Sequence, residues 1–176
     1  MADACVNKMA VVALTLMLAG CAVQPRLKTV DNLDIDRYMG KWYVIACIPV
    51  FIEAKAYNEV EEYQMLPDGS IDTVLTFNQG GFDGPRKRYN PRGFVVDKVN
   101  KSTWKMQFLW PIKAEYLITH IADDYSQTIV ARNKRDYAWV MARTPQIPKD
   151  DYDRLLEEIK AQGYDLKKLR EVPQVR

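Results

Sequence analysis

The chain has 176 residues, of which 48% are apolar and 27% charged, and its formal net charge is +2. Such a composition is that of an ordinary globular protein, and the length suits one domain with a sizeable core. It excludes the clustered basic excess of a nucleic-acid binder. The 4 Trp, 10 Tyr and 5 Phe suit strands and ligand cavities.

At the N-terminus Lys8 precedes an apolar run from Met9 to Ala19. A positive flank, ~7–15 apolar residues and small residues at their end describe a secretory signal. The run falls short of the ~20 residues that a membrane-spanning helix needs. Polar sequence, Gln24-Pro25-Arg26, follows at once. The tetrapeptide Leu18-Ala19-Gly20-Cys21 resembles the lipobox of bacterial lipoproteins. The resemblance implies cleavage before Cys21, acylation of Cys21 and, with Ala22 rather than Asp next, sorting to the outer membrane of a Gram-negative envelope. The expected organisation is a signal peptide over 1–20, a lipidated irregular tether over 21–36 and one folded domain over 37–176. Met1 and Met9 both fit as initiator. Cys5 would leave with the signal, so Cys47 has no intramolecular partner; a homodimer linked through it stays open.

Beyond the tether, short strand-like runs alternate with turn signals. They are Gly40 to Cys47, Tyr57 to Leu66, Ile71 to Phe77, Arg86 to Asp97, Thr103 to Trp110, Glu115 to Ala122, Thr128 to Asn133 and Tyr137 to Arg143. Pro67-Asp68-Gly69-Ser70 joins the second and third runs as a hairpin, and Pro91 and Gly93 interrupt the fourth. Tyr152, Leu155, Leu156 and Ile159 share one face of a helix that Pro148 precedes and Gly163 ends. Tyr164 to Val172 reads as a last short strand. Eight strands and a helix suggest an antiparallel up-and-down barrel with room for one small ligand.

Gly40-Lys41-Trp42-Tyr43 resembles the Gly-x-Trp motif that opens the first lipocalin strand. Asp123-Asp124-Tyr125 sits where that family carries a Thr-Asp-Tyr-like turn, with Asp123 in place of the Thr. Arg143 ends the eighth strand, where the family has an arginine lying over the first-strand tryptophan. The match runs over roughly 31–172, and Trp110-Pro111, Tyr137 to Pro145 and the lipobox draw it toward bacterial lipocalins. It implies an all-β, eight-stranded lipocalin barrel with one C-terminal helix packed outside and a short final strand. Trp42 and Arg143 would seal its floor.

Strand alternation orients the remaining side chains. With Trp42 inward, Val44 and Ala46 point in, while Tyr43, Ile45 and Cys47 point out. The inward sets expected elsewhere are Ile71, Thr73, Leu75 and Phe77; Trp104, Met106, Phe108 and Trp110; Tyr116, Ile118 and His120; Tyr137, Trp139 and Met141. On the second strand an inward Tyr63 brings Glu59 and Glu61 with it, and a buried carboxylate needs a hydroxyl or basic partner, or a proton. The expected ligand-binding residues are therefore Tyr63, Leu75, Phe77, Met106, Phe108, Tyr116, Ile118, His120, Tyr137, Trp139 and Met141. Arg86, Lys87, Arg88 and Arg92 are candidates for a basic rim, or simply a solvated edge. His120 lacks the companions that zinc or a catalytic triad would require, so neither a metal, a cofactor nor catalysis is expected. The expected partners are a fatty acid or lysophospholipid and, through the acyl anchor, the outer membrane. The resemblance to bacterial lipocalins implies that the barrel stores or transports such lipids for membrane maintenance under stress. Two other readings are a calycin-type enzyme acting on a lipid and a structural or protein-binding envelope lipoprotein.

Overall fold

Period-two alternation of apolar side chains builds strands that hydrogen-bond in sequence order until the last meets the first. The computed structural model describes residues 24–175; the signal and lipobox at 1–23 lie outside the described residues. The strands are β1 (Gly40–Ile48), β2 (Ala56–Met65), β3 (Ser70–Gln79), β4 (Arg86–Tyr89), β5 (Arg92–Val95), β6 (Thr103–Leu109), β7 (Ile112–Ile121), β8 (Gln127–Ala131), β9 (Ala138–Ala142) and β10 (Arg170–Glu171). Pairing of β1 with β9 closes the circuit, which removes the free edges of an open sheet. β4 and β5 both pair with β3 and together make one stave, broken at Asn90-Pro91 because proline has no N–H for the ladder. With that pair counted once and β10 lying outside on β1, the barrel has the eight staves expected.

Two cores divide along the wall. Inside, Trp42, Val44, Tyr63, Ile71, Trp104, Tyr116, Ile118 and Met141 pack together. Outside, Leu155 and Ile159 of helix α2 (Lys149–Ala161) cover Ala46, Ile129, Ala138 and Val140. The helix ends at Gly163, whose φ of +89° suits glycine and whose N–H donates to the Lys160 carbonyl.

Three departures from strict alternation correct the expected orientations. A bulge between Val44 and Ala46 inserts one residue into β1 and inverts the parity beyond it. Ala46 therefore meets the helix, and Cys47 faces the interior, fully buried. Its burial is incompatible with a disulfide to a second subunit. A second bulge, between Ile118 and His120, turns His120 outward, where its Nδ1 lies 2.7 Å from Glu158 of α2. The third is at the β6–β7 hairpin, where a register shift after Met106 leaves Trp110 82% exposed rather than inside. The final strand is also shorter than expected, because a 3-10 turn at Leu166–Lys168 takes up its first half.

The segment read as tether is packed from Leu27 onward. Val30 N–H donates to Ile118 O at 3.0 Å, Ser102 Oγ donates to Val30 O at 2.7 Å, and Leu33 is buried. A short helix, α1 (Ile35–Tyr38), follows, its first turn capped by the Asp34 carboxylate, which accepts from the Asp36 and Arg37 N–H groups. α1 lays Tyr38 across the lower end of the barrel, 5.1 Å from Trp42 and 5.3 Å from Trp104, centroid to centroid.

Arg143 locks this floor. Its guanidinium carbon sits 3.7 Å from the Trp42 ring centroid, and its N–H groups donate to the carbonyls of Arg37, Tyr38, Met39, Lys41 and Tyr125. One cation thus ties β1, α1 and the β7–β8 turn together. Trp42→Ala should cost about 3–5 kcal/mol, as large-to-small core changes do. Because Arg143 acts through the same cluster, a double-mutant cycle of Trp42→Ala and Arg143→Ala in urea should show coupling of about 0.5–3 kcal/mol. Additive losses would disprove the stack.

Candidate functional site

The upper half of the barrel contains a cavity of about 380 Å³. That lies within the ~300–1,000 Å³ of small-molecule sites, toward the small end. Its wall comes from β6 and β7 (Met106, Phe108, Ala114, Tyr116), from the start of β9 (Tyr137, Trp139) and from Glu61 on β2. Its lip is the β1–β2 connection, where Val50, Phe51 and Ile52 fold across the mouth in a 3-10 turn.

Of the residues expected to bind ligand, Met106, Phe108, Tyr116, Tyr137 and Trp139 line this cavity. Tyr63, Ile118 and Met141 point inward but are packed into the floor with Trp42 and Trp104. Leu75 and Phe77 form a separate cluster with Ala56, Ile52 and Tyr89. His120 lies outside the wall, as described. The expected basic rim is also displaced. Arg86 and Arg88 lie beside Val60, Val74 and Thr76 in a surface cleft, and Arg92 donates to Ser70 Oγ at 3.0 Å, toward the closed end. The basic residue on the cavity is instead Arg132, whose Nη1 is 3.4 Å from Asp136. Strand alternation gives no sign of the lip, because it lies in the connection after β1. The apolar run Val50-Phe51-Ile52 in a connecting segment was the available signal.

Three buried carboxyl groups belong to the lip and to β2. Glu53 belongs to the 3-10 turn, where its carboxylate accepts from Val50 N–H and Trp139 Nε1, each at 3.2 Å. Glu61 accepts from the Tyr63 hydroxyl, which is itself 2.6 Å from the Tyr116 hydroxyl. The hydroxyl partner that an inward Glu61 demands is thus supplied from its own strand. Neither oxygen of Glu59 has a hydrogen-bond partner among the described residues. Burial is the main cause of the raised pKa of each. Glu61, beside the charge of Glu53, is pushed up to about 8. Glu53 is pushed up to about 7, with the Trp139 bond pulling the other way. Glu59, facing both, rises well above the usual range. Burial likewise holds the Cys47 thiol protonated. The site therefore presents apolar walls, hydroxyls, two acids held largely neutral at pH 7 (Glu59 and Glu61) and one, Glu53, near its midpoint there, with Arg132 among its lining residues.

The sign of the pH effect follows. An acid whose pKa is higher in the fold than in the unfolded chain binds protons more tightly when folded. Its contribution is complete below about pH 4.3, the ordinary glutamate value, and is lost as pH rises through the folded value near 8. Glu61→Gln mimics the neutral acid and still accepts from Tyr63. Its urea midpoint should approach the parent's at pH 4 and exceed it increasingly up to pH 9; a parent midpoint equal or higher at pH 9 would show that Glu61 is not held neutral.

A family model described as a lipocalin-like domain matches residues 33–174. Temperature-induced lipocalin-1 of Arabidopsis thaliana is 30% identical over 159 residues, covering 84% of this chain and 83% of its own length. The outer membrane lipoprotein Blc of Vibrio cholerae is 26% identical, covering 91% of this chain and 94% of its own. Its Escherichia coli K12 counterpart is 24% identical, covering 90% of each. Among solved structures, insecticyanin from Manduca sexta superposes with a TM-score of 0.66 at 15% identity, covering 84% of each chain.

Proposed function

Because the chain belongs to the lipocalin family, we propose that it is a lipid-binding lipoprotein of the outer membrane that holds one single-chain lipid, a fatty acid or lysophospholipid, in its barrel. The observation that carries this reading is the cavity itself, sealed below by Trp42, Tyr38 and Arg143 and lined above chiefly by apolar and aromatic side chains. An acyl chain gains about 0.8 kcal/mol for each methylene it removes from water. A volume near 380 Å³ favours one chain over two.

The electrostatics orient the lipid. An anionic head group pushed down beside Glu61, away from Arg132, would lose its water in a medium of low dielectric, which is costly for an unpaired charge. The tail therefore goes down toward Met106 and Tyr116, and the head stays at the mouth near Arg132. Binding without chemistry is the reading the side chains support. The Cys47 thiol is buried and held protonated, and the His120 imidazole faces Glu158 on the far side of the wall.

Membrane attachment rests on the lipobox at Cys21 and on the likeness to the Blc lipoproteins. Several acyl chains anchor durably where one does not. A carrier so attached would store or move single-chain lipids during membrane maintenance. The Arabidopsis relative's name, which describes it as temperature-induced, supports a role under stress.

Two experiments test the reading. Titration with fatty acids and lysophospholipids of increasing chain length, followed by Trp fluorescence, should give micromolar or tighter affinity, roughly −8 kcal/mol or stronger. Affinity should rise with each methylene until the cavity is full. It should fall when Phe108→Asp and Ala114→Asp charge the wall; affinity indifferent to both chain length and these changes would place the ligand elsewhere. Separately, Cys21→Ala should leave the protein as an unprocessed precursor or in the soluble periplasmic fraction. Quantitative recovery of a cleaved variant with outer membranes would refute acylation at Cys21.

A further inference from the structure

The mouth of the barrel is where apolar side chains face water in concentration. Phe51 on the lip is 93% exposed, and at the neighbouring β6–β7 tip Leu109, Trp110 and Ile112 are 70%, 82% and 66% exposed. Contiguous exposed apolar groups of this size mark an interaction surface. Their chemistry narrows the partner. Trp is the residue that settles at a bilayer interface, and Lys55 and Lys134 are exposed on other connections at this end. The opposite end exposes Asp34, Asp36, Asp68, Asp123 and Asp124 together with Arg37, Lys41, Lys98 and Lys101, so its charges are mixed. The larger apolar cluster, with its aromatic residues and flanking lysines, is at the mouth, and it is that end which fits an anionic lipid surface.

The path of the N-terminal segment agrees. It crosses the floor at Leu33, climbs the wall past Val30 and reaches the β8–β9 turn at the mouth. There Leu27 N–H donates to Asn133 Oδ1 at 2.8 Å and Arg135 Nη2 donates to Pro25 O at 2.6 Å. Pro25 lies four positions after Cys21, a reach of at most about 14 Å. A ten-residue stave such as β7 is roughly 33 Å long. An anchor at Cys21 therefore leaves the chain at the open end and cannot bring the floor to the membrane.

We propose that the barrel docks mouth-first on the phospholipid leaflet that holds its anchor, with Phe51 and the Leu109–Ile112 tip inserted at the head-group level, so that the cavity opens directly onto lipid. The step from tether to orientation rests on the acylation of Cys21 proposed above; the exposed tip does not. Lipid would then pass between leaflet and barrel without crossing water.

The test uses the full-length protein, purified in its processed form and reconstituted in vesicles of phosphatidylethanolamine and phosphatidylglycerol. A nitroxide is attached at Leu109→Cys or, as a control at the closed end, at Lys98→Cys. Cys47 is buried and will not react. The label at 109 should be relaxed by oxygen and shielded from an aqueous nickel complex, and the label at 98 should show the reverse. Equal nickel access at both positions overturns the proposal. So does shielding from both relaxants with dipolar broadening between labels, which would mean that a second copy covers the tip. The triple variant Leu109→Ser, Trp110→Ser, Ile112→Ser changes only exposed side chains. It should slow fatty-acid uptake from vesicles at least tenfold with unchanged affinity in solution; unchanged uptake counts against docking. The mass of the Cys21 peptide reports acylation and the solution titration reports the cavity, so failure of either earlier reading is distinguishable from failure of this one.

Discussion

Closure of the barrel floor by Arg143 is the constraint on which the rest of the molecule depends. A barrel that is to hold an apolar ligand must be plugged at one end, and the plug must satisfy the backbone groups it buries. Arg143 does both through a single side chain. Its planar cation lies on the Trp42 indole, worth about 0.5–2 kcal/mol. Its remaining donors bond the carbonyls of Arg37, Tyr38 and Met39 around the C-terminal end of α1. Those carbonyls have no partner within so short a helix, so the arginine supplies what the helix cannot. With α1 held, Tyr38 stays over the Trp42–Trp104 pair, and the cavity begins above a dry, packed layer.

That layer was legible in the sequence because it is written in residue types and spacing. A tryptophan after Gly40 and an arginine at the end of the last stave fall in order on the right elements. Inward alternation placed Tyr63, Met106, Tyr116, Ile118, Trp139 and Met141 correctly because their strands keep perfect pairing over those positions. The misplaced residues share one cause. Cys47, His120 and Trp110 each lie just beyond a bulge or register shift. One extra residue inverts every side chain after it, and no local composition announces where the extra residue sits. The cavity lip at Val50–Glu53 was legible only as an apolar run, for a different reason. It is a connection, and its position over the mouth is set by contacts from Glu53 to Trp139, 86 residues away.

The three buried glutamates show a conflict between stability and use. An apolar replacement at Glu61 would avoid the cost of burying a carboxyl group, since desolvating even a neutral polar group is unfavourable unless it is bonded. Glu53 repays part of its cost structurally, by fastening the lip to Trp139. Glu61 repays part through the Tyr63 hydroxyl. Glu59 has no such compensation among the described residues, and it sits where β2 is itself bulged between Tyr57 and Val60, with Asn58 at a positive φ of 50°. Strain and an unsatisfied acid thus coincide on one stave, on the side of the barrel below the mouth. Such local violations of otherwise consistent patterning are characteristic of functional regions.

The two ends of the barrel consequently differ in rigidity as well as in chemistry. At the floor, aromatic packing and the Arg143 network hold every element to its neighbours. At the mouth, the β6–β7 ladder is interrupted between Met106 and Leu109, and the lip is a single 3-10 turn held largely through Glu53. Opening free energy is lowest where buried apolar contacts are few and backbone bonds are exposed. Access through the lip and the hairpin would therefore cost less than access through the floor. Since the Glu53 carboxyl is both the fastener of that lip and a group whose pKa sits near 7, ionisation would strengthen its bonds to Trp139 and Val50 while raising the cost of its burial. The lip is in this way balanced by two opposing effects of the same side chain.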